Sequence, residues 1–141
     1  MKRYGLFVGI LLFSGACFSQ GTWYGNQLDT TQRAWGKVRD GLFTDQMARI
    51  CLDQMWMAHA AVHFVFLSNL EAVDAIWGPR GYRYAMLMAG RLGERLYLMA
   101  EAMGLGCCGI GAFYDDEAAQ LLGLNEQTRL VYLVAAGPLK R

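Results

Sequence analysis

The sequence predicts a small α+β domain, and three observations carry that reading. Of the 141 residues, 55% are hydrophobic and only 18% are charged, so the chain has a core to bury and is no disordered linker. Two continuous apolar, β-prone runs, AVHFVFL at 61–67 and RLVYLVAA at 129–136, have the length and composition of buried strands. Between them a helical pattern runs from Gly81 to Met103 and is apolar over much of its circumference. Such a helix needs cover on most sides, and in a chain this short part of that cover is expected from a second subunit. Thirteen Lys and Arg against twelve Asp and Glu leave a net charge of +1, which points away from nucleic acid as a partner.

Taken in order, residues 1–20 (MKRYGLFVGILLFSGACFSQ) have a basic start, an apolar run from Gly5 to Phe13, and small residues at Ser14, Gly15, Ala16 and Ser19. That order is the order of a secretory signal, and the run is too short for a stable membrane span. The reading implies export, with residues 21–141 as the body. The alternatives are an apolar element that joins the core, or a misplaced start and a cytoplasmic protein. From Gly21 to Asp40, Trp23, Tyr24 and Trp35 alternate with Gly25, Asn26, Asp29 and Gly36, which reads as a short strand and turns. Met47, Ile50, Cys51 and Met55 recur at three and four residues opposite Asp45, Arg49 and Asp53, so an amphipathic helix is expected over Asp45–Met57. The strand at 61–67 ends at Ser68-Asn69, a short helix follows through Ala72 to Trp77, and Gly78-Pro79 breaks it.

The long helix carries a face of mostly small residues, Ala85, Ala89, Gly93 and Ala100 with Met86 and Leu96, which lets another backbone come close. Gly104 is placed to end it in the left-handed conformation. A glycine-rich loop, GLGCCGIGAF, is expected next, then a short helix capped by Asp115 and ending near Leu122 with Gly123 after it. The final strand gives way to Gly137-Pro138.

Motifs that could carry chemistry are few. Gly104-Leu105-Gly106-Cys107-Cys108-Gly109 matches G-x-G-x-x-G, but it leaves a helix where the dinucleotide fingerprint must enter one, so a Rossmann site is excluded. What remains is a run of backbone amides with little side-chain bulk, suited either to packing or to a flat ligand that approaches the main chain. His59 and His63 lack the intervening Glu of a metalloprotease helix, and His63 falls in a strand, so both read as structural and no metal site is expected. Cys17, Cys51, Cys107 and Cys108 show no zinc spacing and read as free thiols. There is no P-loop and no G-x-S-x-G elbow. Arg80, Arg83, Arg91 and Arg95 form a basic cluster of the kind found on solvated helix faces, and Lys140-Arg141 forms a second basic pair at the end.

The segment from Gly78 to Leu124 resembles the nitroreductase superfamily, and within it the SagB-type dehydrogenases. The likeness lies in an ordered set: RGYRY, A-G in the long helix followed by L-Y-L-x-A, the A-x-G-L-G exit, G-I-G-A-F, the acidic DD, LLGL, and the terminal YLVAAG. It extends more weakly upstream through VHFVFLS and ARICLDQ to GTWYGNQLD, covering about residues 21 to 141. The resemblance implies a partial nitroreductase fold, namely its C-terminal part, with a central dimer helix, non-covalent FMN and a homodimer. It further implies that Gly109, Ile110, Gly111 and Ala112 approach the flavin ring, that an amide there stabilises charge developing on the reduced ring, and that Lys140 and Arg141 reach the phosphate. The implied reaction is hydride transfer through flavin from NAD(P)H or another reduced donor.

This sequence departs from the family pattern at two places. Met88, Arg91, Glu94 and Arg95 stand where relatives commonly carry an acid, a histidine and an amide pair. The family's N-terminal phosphate site has no counterpart in these residues. A second function class therefore stays open: a fragment or interaction subunit that completes another chain and holds no flavin.

Overall fold

The computed structural model describes residues 22–24, 27–29 and 43–139. The leader at 1–20 and the basic pair Lys140-Arg141 lie outside the described residues. Within 21–40, two short strands, β1 (Thr22–Tyr24) and β2 (Gln27–Asp29), pair antiparallel as a hairpin, one strand more than the sequence suggested.

The centre is a three-stranded antiparallel sheet in the order β3-β5-β4, formed by β3 (Val62–Asn69), β4 (Leu105–Ile110) and β5 (Thr128–Pro138). The two apolar runs thus become neighbours, with β5 in the middle. The pairing of β3 with β5 slips between Phe66 and Leu67: Phe66 faces Tyr132 and Leu67 faces Leu130, so Val131 is a bulge. The extra residue puts Val131 and Tyr132 on one face of the sheet while Leu130 and Leu133 stay on the other.

Each face has its own core. On one, Val65, Leu67, Leu130 and Leu133 pack against α1 (Thr44–Ile50) and α4 (Asp115–Leu122) through Met47, Ile50, Ala118 and Leu122. On the other, Phe66, Val131 and Val134 meet Ala89 of α3 (Gly81–Ala102), with Met86, Leu92 and Leu96 around them. The helix α2 (Leu70–Trp77) leads into α3 through a single 3₁₀ turn, Gly78–Arg80. Asn69 caps α2 by accepting the Ala72 N–H at 2.9 Å. The α2–α3 joint is tight, since a Cβ at Gly81 would sit 2.8 Å from the Val73 carbonyl oxygen.

Three expectations are corrected. The helix expected over Asp45–Met57 stops at Ile50, because Leu52 and Asp53 take φ of 59° and 56° and turn the chain into a 3₁₀ segment, Met55–His59. Within the expected glycine-rich loop, Leu105–Ile110 is strand β4, which β5 holds from Leu105 against Pro138 to Ile110 against Leu133. Asp115 opens α4 from inside; the cap position is Tyr114, whose side chain makes no capping bond. The small-residue face of α3 does meet another backbone closely, that of the chain's own sheet: Ala89 packs with Phe66, Val131 and Val134, and a Cβ on Gly93 would run into Tyr132. Gly104 and Gly123 do take the left-handed conformation expected of them, with φ of 66° and 64°.

The described cysteines are free thiols. Cys107 and Cys108 are adjacent on one strand and project to opposite faces, while burial pushes the Cys51 thiol up to about 11. His63 is fully buried and its Nε2 donates to the Met57 carbonyl at 2.9 Å, whereas His59 is exposed on the 3₁₀ segment.

Candidate active site

The four residues at 109–112 straddle the end of β4, and the structure divides them. Gly109 lies inside the strand. Its N–H donates to the Tyr97 hydroxyl on α3 at 2.5 Å, so this amide is already spent. Its missing side chain is also used, because a Cβ there would be 2.6 Å from Cζ of Tyr132 and would run into that hydroxyl. Tyr132 stands on β5 in the notch made by Gly109 and Gly93, and its ring meets Phe66 with centroids 5.6 Å apart. Burial, and then the neighbouring Tyr97, push its phenol up from the ordinary value. Ile110 turns its side chain into the core and is 4% exposed.

Gly111 and Ala112 are different. Both are exposed, a Cβ on Gly111 would meet nothing within 4 Å, and no hydrogen bond among the described residues occupies either N–H. The chain is then fastened again at Tyr114, whose N–H donates to the Ile50 carbonyl at 2.9 Å. That bond also satisfies a carbonyl of the last turn of α1, one of the groups a helix end leaves unpaired. Two free amides are therefore staked out between Tyr97 on one side and α1 on the other.

They open onto a cleft of about 430 Å³. Tyr82 and Met86 of α3 and Leu130 and Val131 of β5 supply its apolar wall, and Arg129 and Asp115 stand at it with opposite charges. Its size falls in the range of small-molecule sites, and its character, apolar with a few polar groups, is theirs too. Lys140 and Arg141 lie outside the described residues. Tyr97 and Tyr132 were legible as letters of the L-Y-L and YLVAAG motifs, but their roles depend on a contact between α3, β4 and β5 that spacing along the chain cannot reveal. Arg129 read as an edge residue of a buried strand, with nothing in the sequence to single it out.

Comparison with known proteins now decides the family. The profile of the Nitroreductase family matches residues 23–138. The chain belongs to the nitroreductase family. A protein of Methanocaldococcus jannaschii assigned to the nitroreductases is 35% identical over 95 residues, which are 67% of this chain and 48% of that protein. The chain therefore spans about half the length of the curated relative it matches. Among solved structures, one from Anabaena variabilis assigned as a nitroreductase superposes with a TM-score of 0.70 at 34% identity, covering 74% of this chain and 21% of the other. One from Ralstonia eutropha gives 0.52 at 22% identity over 55% of this chain and 37% of the other, a likeness of fold. The α+β class and the nitroreductase-like arrangement of helices about a small antiparallel sheet agree with the expectation from sequence. Nitroreductase-family proteins are typically flavin-dependent oxidoreductases.

Proposed function

We propose that this nitroreductase-family chain is an FMN-dependent oxidoreductase of SagB-type kind, with the flavin ring lying against Gly111 and Ala112 in the 430 Å³ cleft. The observation that carries the reading is the pair of exposed, unpartnered amides held rigidly at the mouth of an apolar cleft. The residues fit the cofactor: a glycine whose Cβ direction is open leaves room for a flat ring at the backbone, and the apolar walls can cover it. Bound FMN would supply the hydride chemistry, taken from NAD(P)H or another reduced donor and passed to an acceptor.

The protein's part is placement and electrostatics. The Gly111 N–H, held between the Tyr97–Gly109 and Tyr114–Ile50 hydrogen bonds, needs little reorganisation to meet negative charge, which is what makes a preorganised donor effective. Gly109 and Ile110 act from behind, the first as the strand's anchor to Tyr97 and the second as its anchor in the core. The terminal Lys140 and Arg141 remain the proposed phosphate contacts.

A homodimer is part of the proposal. With the small-residue face of α3 turned to its own sheet, its outer face still carries Leu87 and Leu98, each more than half exposed. That same face supports the second reading, an interaction subunit that completes another chain without flavin. FMN uptake by the wild type separates the two, and replacing Gly111 by Val tests where the ring lies. The side chain enters open space, so the thermal midpoint should hold, while FMN uptake should fall by about tenfold or more because the bulk stands where the ring would lie. Unchanged uptake would remove Gly111 from the site.

A further inference from the structure

Among the described residues, Arg129 is the one cation lining the cleft beside Gly111, and the structure holds it in place without using it up. Its Nη1 donates to the Thr128 carbonyl at 3.1 Å and to the Asn125 carbonyl at 3.5 Å. These bonds fix the half-buried guanidinium but engage one of its three nitrogens. Nε and Nη2 have no partner among the described residues, and no described carboxylate comes within 4.0 Å. Asp115 lines the same cleft, but it is exposed and sits with Asp116 and Glu117 in the first turn of α4, where the helix dipole favours negative charge. Those acids also answer the positive end of α4, so the helix start offers an anion little. The anion-seeking group in the cleft is Arg129.

A guanidinium with two adjacent nitrogens free meets a carboxylate through two parallel hydrogen bonds, and the pair is stronger where water is partly excluded. The neighbouring walls, Leu70, Tyr82, Met86 and Phe113, favour a flat apolar body. We propose that, beside the ring placed at Gly111 and Ala112, the Arg129 side of the cleft takes a planar aromatic ligand bearing a carboxylate, the acceptor or donor of the flavin reaction, and that Arg129 grips that carboxylate. The role of this ligand as a redox substrate rests on the oxidoreductase reading; its binding does not. A flavin phosphate presents the same anionic chemistry to Arg129, and the test must tell the two apart.

The test is calorimetric titration of the purified full chain with 4-nitrobenzoate, neutral 4-nitrobenzamide and cationic 4-nitrobenzylamine, with FMN uptake measured on the same samples. The carboxylate should bind about tenfold or more tightly than the amide, as a charged bidentate contact requires. In Arg129→Gln the difference should shrink to about twofold, with FMN uptake unchanged; Arg129→Lys, which keeps the charge but not the fork, should fall between. Circular dichroism of both variants checks that they fold. A protein that takes up no FMN yet keeps the Arg129-dependent preference supports the assignment while ending the oxidoreductase reading. Equal binding of acid and amide, a preference for the amine, or a preference that survives Arg129→Gln would overturn it. So would loss of FMN uptake in Arg129→Gln without any change in ligand preference, since Arg129 would then serve the phosphate.

Discussion

At the scale of single residues, much of the site depends on atoms that are absent. Gly109 makes room for the Tyr132 ring, so Gly109→Ala must displace Tyr132 from the notch it shares with Gly93. We expect a loss of about 1–3 kcal/mol in stability, the usual cost of overpacking, measured by urea unfolding. Gly111→Ala, made in parallel, should be close to neutral because its side chain enters open space. His63 gives a second prediction. Burial lowers its pKa below the ordinary 6.5, outweighing the opposing effect of its bond to Met57, and its Nδ1 is buried without a partner. The unfolded chain therefore binds a proton more readily than the folded one, and stability should fall as pH drops below about 6.5. His63→Gln, whose amide can still donate to the Met57 carbonyl, should flatten the fall in urea midpoint between about pH 7 and about pH 5. An unaltered slope would assign the dependence to other groups. None of these roles could be read from the sequence: His63 was recognisable as a strand histidine, but its acceptor lies six residues away on a 3₁₀ turn that the helical periodicity had concealed.

The elements themselves were legible where one local signal dominated. α3 was expected over Gly81–Met103 and spans Gly81–Ala102; both buried strands lie where their apolar runs placed them, since their composition suits a sheet covered on two faces. Errors arose where partners decide. Cys107 to Ile110 look like loop because glycine weakens a strand, yet β5 supplies the ladder and Tyr132 needs the glycine. The periodicity of α1 continues past Ile50, but two left-handed residues end the helix, and Tyr114 takes the Ile50 carbonyl. The small residues of α3 meet the chain's own sheet, so the proposed dimer uses the opposite side of the helix. There, Leu98 is 66% exposed, and Glu94 lies between Arg91 and Arg95, so in a second copy running antiparallel each Glu94 can face an arginine of the other. Leu98→Glu should convert a dimer to a monomer by light scattering with the circular dichroism spectrum unchanged. A monomeric wild type would reject the dimer.

Over the whole molecule, a sheet with a core on each face and a cleft at the exit of β4 explains why a chain of 141 residues that is 55% hydrophobic can fold and still leave apolar surface over. Part of that surface lines the cleft, and part lies along α3. Among the described residues no helix is long and apolar enough to cross a membrane. Family and fold were legible because an ordered set of short motifs survives in the sequence; of the residues lining the candidate cleft, the sequence singled out only Gly111 and Ala112, because the rest of the cleft is built by contacts between elements. The central claim is that these two amides face a flavin. Its most direct test is the absorbance spectrum of the purified full chain after addition of FMN and removal of the excess. A yellow protein holding about one FMN per chain, released on denaturation, is expected, with Gly111→Val losing it. A folded, colourless protein that retains no FMN would contradict it.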